Sequence, residues 1–188
     1  MNPLELLQND RAAARSNQDP CANVCIVANV DEHGRPQART LVLRDIEDEL
    51  AIFVNATSPK WSHLAEVHVV VWLPSVNVQY RLDCATLPIA EHIVHESWHL
   101  RPEPPKRMDW FYTTQQPQSS KVAGRDELLA RLAALDLEES PGVPATARGL
   151  YLRATLVERL DLGQANGVHD RRRYEFADDV WQEYVLVP

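Results

Sequence analysis

Cysteine is scarce and odd in number. Cys21, Cys25 and Cys84 are the only three in 188 residues, and they have neither the paired spacing nor the neighbouring histidines of a zinc site. They read as reduced, mostly buried thiols. Positive charge is also short. The 19 Lys and Arg stand against 27 Asp and Glu, a net −8 that argues against bulk binding to nucleic acid or to an anionic membrane, while leaving room for a local basic pocket. No run approaches the ~20 apolar residues of a membrane span. The opening MNPLELLQNDRAAARS has no signal-peptide core, so a cytoplasmic protein is expected. There is no Gly-x-Gly-x-x-Gly loop, no Walker loop and no internal repeat.

What is present is apolar in short, β-branched runs. A chain of this length suits one core and buries roughly 70% of its unfolded surface, so a single domain over residues 1–188 is expected. Pro3 in a polar, Ala- and Leu-containing opening predicts a helix to about Ser16. Strands are expected at Ala22 to Val30, Gln37 to Arg44 and Leu50 to Val54, the last two joined by the acidic turn Asp45 to Glu49. A helix should follow at Pro59 to Glu66, then a near-continuous apolar strand at Val67 to Leu73, buried on both sides or closing a barrel. Val76 to Ala85 alternates, placing Tyr80, Leu82 and Cys84 on one face and Gln79, Arg81 and Asp83 on the other. Helices are expected at Ile89 to Leu100 and Arg125 to Leu137, with Leu128, Leu129, Leu132 and Leu135 as the core stripe of the second. Between them lie a proline-stiffened loop at Arg101 to Arg107, three aromatics at Trp110 to Tyr112, and a polar loop at Thr113 to Ser120. Glu138 to Ala147 reads as a loop. Strands at Leu150 to Leu160, Val168 to Phe176 and Val180 to Val187 close the chain. About eight strands and three or four helices favour a closed antiparallel barrel with peripheral helices.

The stretch Gln37 to Ser62 carries the chemistry. Arg39 and Arg44 bracket one strand, and the turn Asn55 to Lys60 adds hydroxyls and a lysine, a donor set that suits phosphate oxygens. Arginines at strand ends are most often solvated or paired with acids, and Ser58 before Pro59 starts a helix without any ligand. The face bearing Gln79 and Arg81 offers an amide and a guanidinium to a heteroaromatic ring or a phosphate, or is an ordinary wet sheet face. His92, His95 and His99 recur at helical steps without a nearby carboxylate pair of matching geometry and read as a solvated helix face, so no metal is expected.

Five stretches in this order resemble the pyridoxamine 5′-phosphate oxidase family of FMN-binding split-barrel flavoproteins: RTLVLR at Arg39 to Arg44, FVNATSPK at Phe53 to Lys60, QYRLD at Gln79 to Asp83, QSS at Gln118 to Ser120, and HDR at His169 to Arg171. The resemblance runs from about Cys21 onward. It implies FMN contacts from Arg39, Thr40, Leu41, Val42, Phe53, Val54, Ser58, Lys60, Gln79, Gln118, Ser119 and Arg171. It also implies substrate contacts from Arg44, Arg101 and His169, with His169 and Arg171 nearest the reacting atoms. The family's FMN lies between the subunits of a homodimer, which the strands from residue 148 onward would help to form. The activity implied is hydride transfer from a small molecule to FMN. A nicotinamide-dependent flavin reductase and a non-catalytic flavin binder are the alternatives.

The departures from the family pattern fall mainly on the substrate side. Gly167 stands where the oxidases have an arginine, Ser97 and Pro105 stand for a tyrosine and a serine of the substrate-phosphate cluster, and Arg44 replaces a lysine. On the flavin side, Pro59 replaces an arginine and a tryptophan before the tail is missing. A substrate other than pyridoxamine 5′-phosphate, or poor handling of that compound, is expected.

Overall fold

A computed structural model describes residues 2–137 and 142–188, which fall into two compact units. The expected loop at Glu138 to Ala147 lies partly outside the described residues, at 138–141. The first unit comprises Met1–Ile52, His63–Leu87 and Tyr151–Pro188, and the second Phe53–Ser62 and Pro88–Leu150.

The first unit opens with helix α1 (Pro3–Ser16). Asn2 Oδ1 accepts from the Leu4 amide at 3.0 Å, and Pro3 occupies the first turn, where an amide proton would have no helical partner. The helix buries Leu7 and Ala14, and with them Arg11, which is 1% exposed. Arg11 donates to the carbonyls of Ala22 and Leu43 at 3.1 Å each and to Asp45 at 2.5 Å, so its charge is paired and each of its nitrogens has a partner. Beside it, Asp10 Oδ2 accepts from the Tyr80 hydroxyl at 2.6 Å and from Arg159 Nε at 3.0 Å.

Among the described residues, nine strands make one sheet. These are β1 (Val24–Val30), β2 (Pro36–Val42), β3 (Arg44–Ile46), β4 (Glu49–Asn55), β5 (Glu66–Leu73), β6 (Val78–Pro88), β7 (Ala147–Asp161), β8 (Asp170–Ala177) and β9 (Val180–Leu186). The order is β2-β1-β5-β6-β7-β4-β3, with β8 and β9 added antiparallel beyond β7. The two ends of that row are consecutive in sequence. The expected strand Gln37 to Arg44 is divided at buried Leu43, whose amide leaves the ladder for the Asn23 carbonyl at 3.0 Å. The row therefore returns on itself through the chain, and the count becomes nine rather than eight.

Two hairpins turn on acidic pairs in the left-handed region, Glu47–Asp48 (φ 49° and 65°) and Asp178–Asp179 (φ 51° and 61°). Positive φ at both central residues matches the right-handed twist of the flanking strands, which is why two-residue loops suffice. The β1–β2 turn is held otherwise. Asp31 Oδ1 accepts the amides of His33 and Arg35 at 2.9 and 3.0 Å, and these bonds bring its pKa down to about 2.

β5 is not buried on both sides. Val67, Val69, Val71 and Leu73 point inward, His68 and Val70 are half-buried, and Trp72 is exposed, so the apolar run covers a face that only another surface could bury. β6 alternates as its sequence predicts, with Val78, Tyr80, Leu82 and Cys84 in the core. Burial pushes the thiols of Cys25 and Cys84 up to about 12, so both stay protonated. The three cysteines are free thiols.

The second unit holds α2 (Glu91–His99), α3 (Glu103–Thr114) and α4 (Arg125–Ala133). The region read as a proline-stiffened loop is mostly helix, because Pro104 and Pro105 fall in the first turn of α3, where proline costs no hydrogen bond. α4 stops at Ala133, two residues before the last leucine of its apolar stripe and four before the expected end at Leu137. Arg107 draws the carbonyls of Leu132, Ala133 and Leu135 to its guanidinium, and only Leu135 of the expected stripe is buried. The expected helix at Pro59 to Glu66 is a 3₁₀ turn at Pro59–His63, opened by the Trp61 amide bonding the Ser58 carbonyl at 2.9 Å.

Candidate functional site

In the second unit, β4 ends in the polar turn Asn55 to Lys60. Asn55 is 5% exposed and organises it: its Oδ1 accepts from the Thr57 amide at 3.0 Å and the Thr57 hydroxyl at 2.7 Å, while its Nδ2 donates to Thr146 Oγ1 at 3.1 Å. Thr57 Oγ1 in turn accepts the Gln118 amide at 3.1 Å. Lys60 Nζ then donates to Ser58 Oγ at 2.8 Å and to Gln118 Oε1 at 3.5 Å. Four of the expected cofactor residues of this unit, Ser58, Lys60, Gln118 and Ser119, are thus brought together. Ser119 is exposed, with φ at 72°, a strained backbone that turns the loop just after Gln118. Phe53 and Val54 precede the turn on β4, with Val54 buried.

Arg101 lies elsewhere in this unit, in the link between α2 and α3. It forms an ion pair with Asp109 of α3, whose side chain is 7% exposed. Asp109 also accepts from Trp98 Nε1 at 3.1 Å and Asn55 Nδ2 at 3.5 Å. Neither Asp109 nor its pairing was singled out by the sequence. Its signal was a lone acid inside the apolar run Met108 to Tyr112, where an ionisable group requires a partner.

In the first unit, Arg39 of β2 shares a face with Val27 and Asn29 of β1. It donates to Asn29 Oδ1 and, at 3.4 Å, to the Val27 carbonyl, and burial draws its pKa down. Asn29 also lines a surface cavity of about 740 Å³ with His63, His68, Asp83 and Thr155. Leu41 is on the Arg39 side, whereas Thr40 and Val42 are on the opposite face and exposed. That opposite face continues through Ile26, Val70 and Trp72 to Gln79, which lies across from Trp72 in the β5–β6 register.

Arg81, two residues past Gln79, donates to Glu158 Oε1 at 3.3 Å. The same oxygen accepts Nε and Nη2 of Arg171 at 3.1 and 2.9 Å. Glu158 was not anticipated, because nothing in its own segment marks the two arginines that converge on it. His169 is exposed and precedes β8 by one residue, so it lies at the mouth of the strand rather than in it. Arg44 opens β3 opposite Ala51, half-buried.

No protein-family model matches the chain. A pyridoxine/pyridoxamine 5′-phosphate oxidase from Chromohalobacter salexigens is 30% identical over the whole chain and 89% of its own length. The chain belongs to the pyridoxine/pyridoxamine 5′-phosphate oxidase family. A second family protein, from Pseudomonas putida strain GB-1, is 27% identical over 94% of this chain and 83% of its own. Two solved structures share the fold. PhzG from Burkholderia lata 383, in complex with tetrahydrophenazine-1-carboxylic acid, superposes with a TM-score of 0.84 at 21% identity, covering all of this chain and 93% of its own. A pyridoxamine 5′-phosphate oxidase-related, FMN-binding protein from Nostoc punctiforme superposes at 0.79 and 18%, covering all of this chain and 98% of its own. The architecture is the FMN-binding split barrel, mainly β with peripheral helices. Among the described residues no helix is long and apolar enough to cross a membrane.

Proposed function

We propose that this chain is an FMN-dependent oxidoreductase that works as a cytoplasmic homodimer, residues 1–188 acting as one functional domain. The observation that carries the reading is the turn at Ser58 to Lys60, where an ammonium, a hydroxyl and the Gln118 amide meet within 3.5 Å on a scaffold fixed by buried Asn55. That donor set fits a phosphate monoester, and membership of the family makes FMN the monoester to expect.

In this reading Lys60, Ser58, Gln118 and Ser119 bind the FMN phosphate end together with Arg39. Phe53, Val54, Thr40, Leu41, Val42, Gln79 and Arg171 contact the rest of the cofactor. When bound, FMN supplies a ring that accepts a hydride from substrate and passes the electrons on to oxygen. The protein's part is to orient and to exclude water. Gln79 offers an amide that satisfies a ring donor or acceptor. Arg171, braced by Glu158, presents a fixed guanidinium, and exposed His169 with Arg44 meets the substrate. Ile26, Val42 and Trp72, 43%, 54% and 37% exposed, share a sheet face with Thr40 and Gln79, and a second copy covering that face would bury them.

The test is turnover under air of the FMN-loaded protein with a panel of amines, pyridoxamine 5′-phosphate included, followed by peroxide release. Peroxide formed with a substrate supports the oxidase reading. Flavin reduction by a nicotinamide cofactor alone replaces it with a flavin reductase, and no reduction by either leaves a flavin binder.

A further inference from the structure

The segment from Arg101 to Arg107 carries three cations, and each is committed within the second unit. Lys106 Nζ donates to the His99 carbonyl at 2.7 Å, at the end of α2, and lies 5.3 Å from the Trp98 ring centroid. Arg107 spans the carbonyls of Leu132, Ala133 and Leu135 at the end of α4. Both are doing what basic side chains do at helix C-termini. Arg101 differs, because its partner is a charge: the buried carboxylate of Asp109, held in place by Trp98 and Asn55.

We infer that Asp109 determines substrate class by neutralising Arg101, so that the second ligand of this protein is a small molecule without a phosphoryl group. This rests on the flavoprotein reading above. A phosphate dianion approaching Arg101 meets an ion pair of net charge zero and a buried carboxylate that repels it. To bind, it would have to draw the guanidinium away and leave the buried Asp109 carboxylate with only the neutral donors of Trp98 and Asn55 and no counter-charge, which is the costly way to break a buried pair. A hydroxyl or carbonyl oxygen needs no such exchange. Arg101 is 29% exposed and keeps donors beyond the Nη1 that serves Asp109, so it can hydrogen-bond a neutral acceptor with the pair intact. The other cations of the segment do not supply the missing charge, since moving Lys106 or Arg107 would strip a helix end of its cap.

A structural role for Asp109, pinning α2 to α3, would affect all ligands alike. The discriminating readout is the ratio of affinities for pyridoxine 5′-phosphate and pyridoxine, measured by calorimetry on protein held in excess FMN. The FMN isotherm itself reports separately on the flavoprotein reading. In the unmodified protein the two affinities should agree within about threefold. Asp109→Asn keeps the acceptor for Trp98 while freeing Arg101, and should raise the preference for the phosphate by about tenfold or more; adding Arg101→Met should abolish the gain. The double variant Arg101→Met/Asp109→Leu, which orphans no charge, should keep the unmodified ratio. A preference of about tenfold for the phosphate in the unmodified protein overturns the inference. An unchanged ratio in folded Asp109→Asn overturns it as well.

Discussion

Lys60 Nζ reaches the side-chain oxygen of Gln118 at 3.5 Å, across 58 residues of sequence, while donating to Ser58 at 2.8 Å. The contact joins the turn after β4 to the loop after α3, and it places a cation where two neutral oxygens already converge. Charge-assisted hydrogen bonds to a phosphate contribute roughly 1.5–3 kcal/mol each, so Lys60→Met should weaken FMN binding by about ten- to a hundredfold. Arg39→Ala should weaken it by more than about tenfold on the same ground. Fluorescence titration with FMN measures both, and an affinity unchanged in either variant removes that residue from the phosphate site.

Glu158 holds Arg81 and Arg171 on one oxygen, and its side chain is only 12% exposed. Glu158→Ala leaves two guanidinium groups facing each other without their carboxylate. We expect a loss of about 1–3 kcal/mol in unfolding free energy, partly recovered at high salt as the repulsion is screened. Urea unfolding at low and high ionic strength reads this directly, and a salt-independent loss would assign the effect to packing.

Gly167 has φ at 72°, in the turn closed by its amide bonding the Gln164 carbonyl at 3.0 Å, although a Cβ there would meet nothing within 4 Å. The limit is therefore the backbone and not space. Gly167→Ala should cost about 1 kcal/mol, seen as a lower urea midpoint with unchanged slope. It follows that restoring the arginine found here in the oxidases strains the turn as well as adding charge, so a gain in phosphate binding from Gly167→Arg should come with a loss of stability.

Asp19 is buried, which by itself would raise its pKa, but the amides of Ser75 and Cys21 at 2.9 and 2.8 Å outweigh that and hold it below the ordinary carboxylate value. A depressed folded pKa contributes stability above the unfolded value of about 3.9, and that contribution is lost as pH falls through the folded value. Asp19→Asn should therefore lower stability at neutral pH and flatten the decline below about pH 4. Chemical denaturation across that range tests the sign; a variant with the same acid slope as the parent contradicts it.

Periodicity carried the fold a long way. The alternation of Val78, Tyr80, Leu82 and Cys84 against Gln79, Arg81 and Asp83 fixed one strand and both of its faces, and the apolar runs located the other long strands. Where the reading failed, a tertiary partner had overridden a local rule. Arg107 ended α4 ahead of the last leucine of its stripe, Leu43 bent a strand that looked continuous, and prolines that suggested a loop fell in the one turn of α3 that accepts them. For the candidate site, motif residues such as Ser58, Lys60 and Gln118 were legible because they act in short, ordered stretches. Asp109 and Glu158 were not. Each acts through partners distant in sequence or on another strand, Asp109 through Asn55 and Glu158 through Arg81, and only the folded chain shows who those partners are.

FMN binding itself is directly measurable. Purified protein stripped of any bound flavin and titrated with FMN should quench the flavin's fluorescence in a saturable curve and carry flavin absorbance through gel filtration. Unquenched fluorescence throughout the titration, with no flavin retained by the folded protein, contradicts the account.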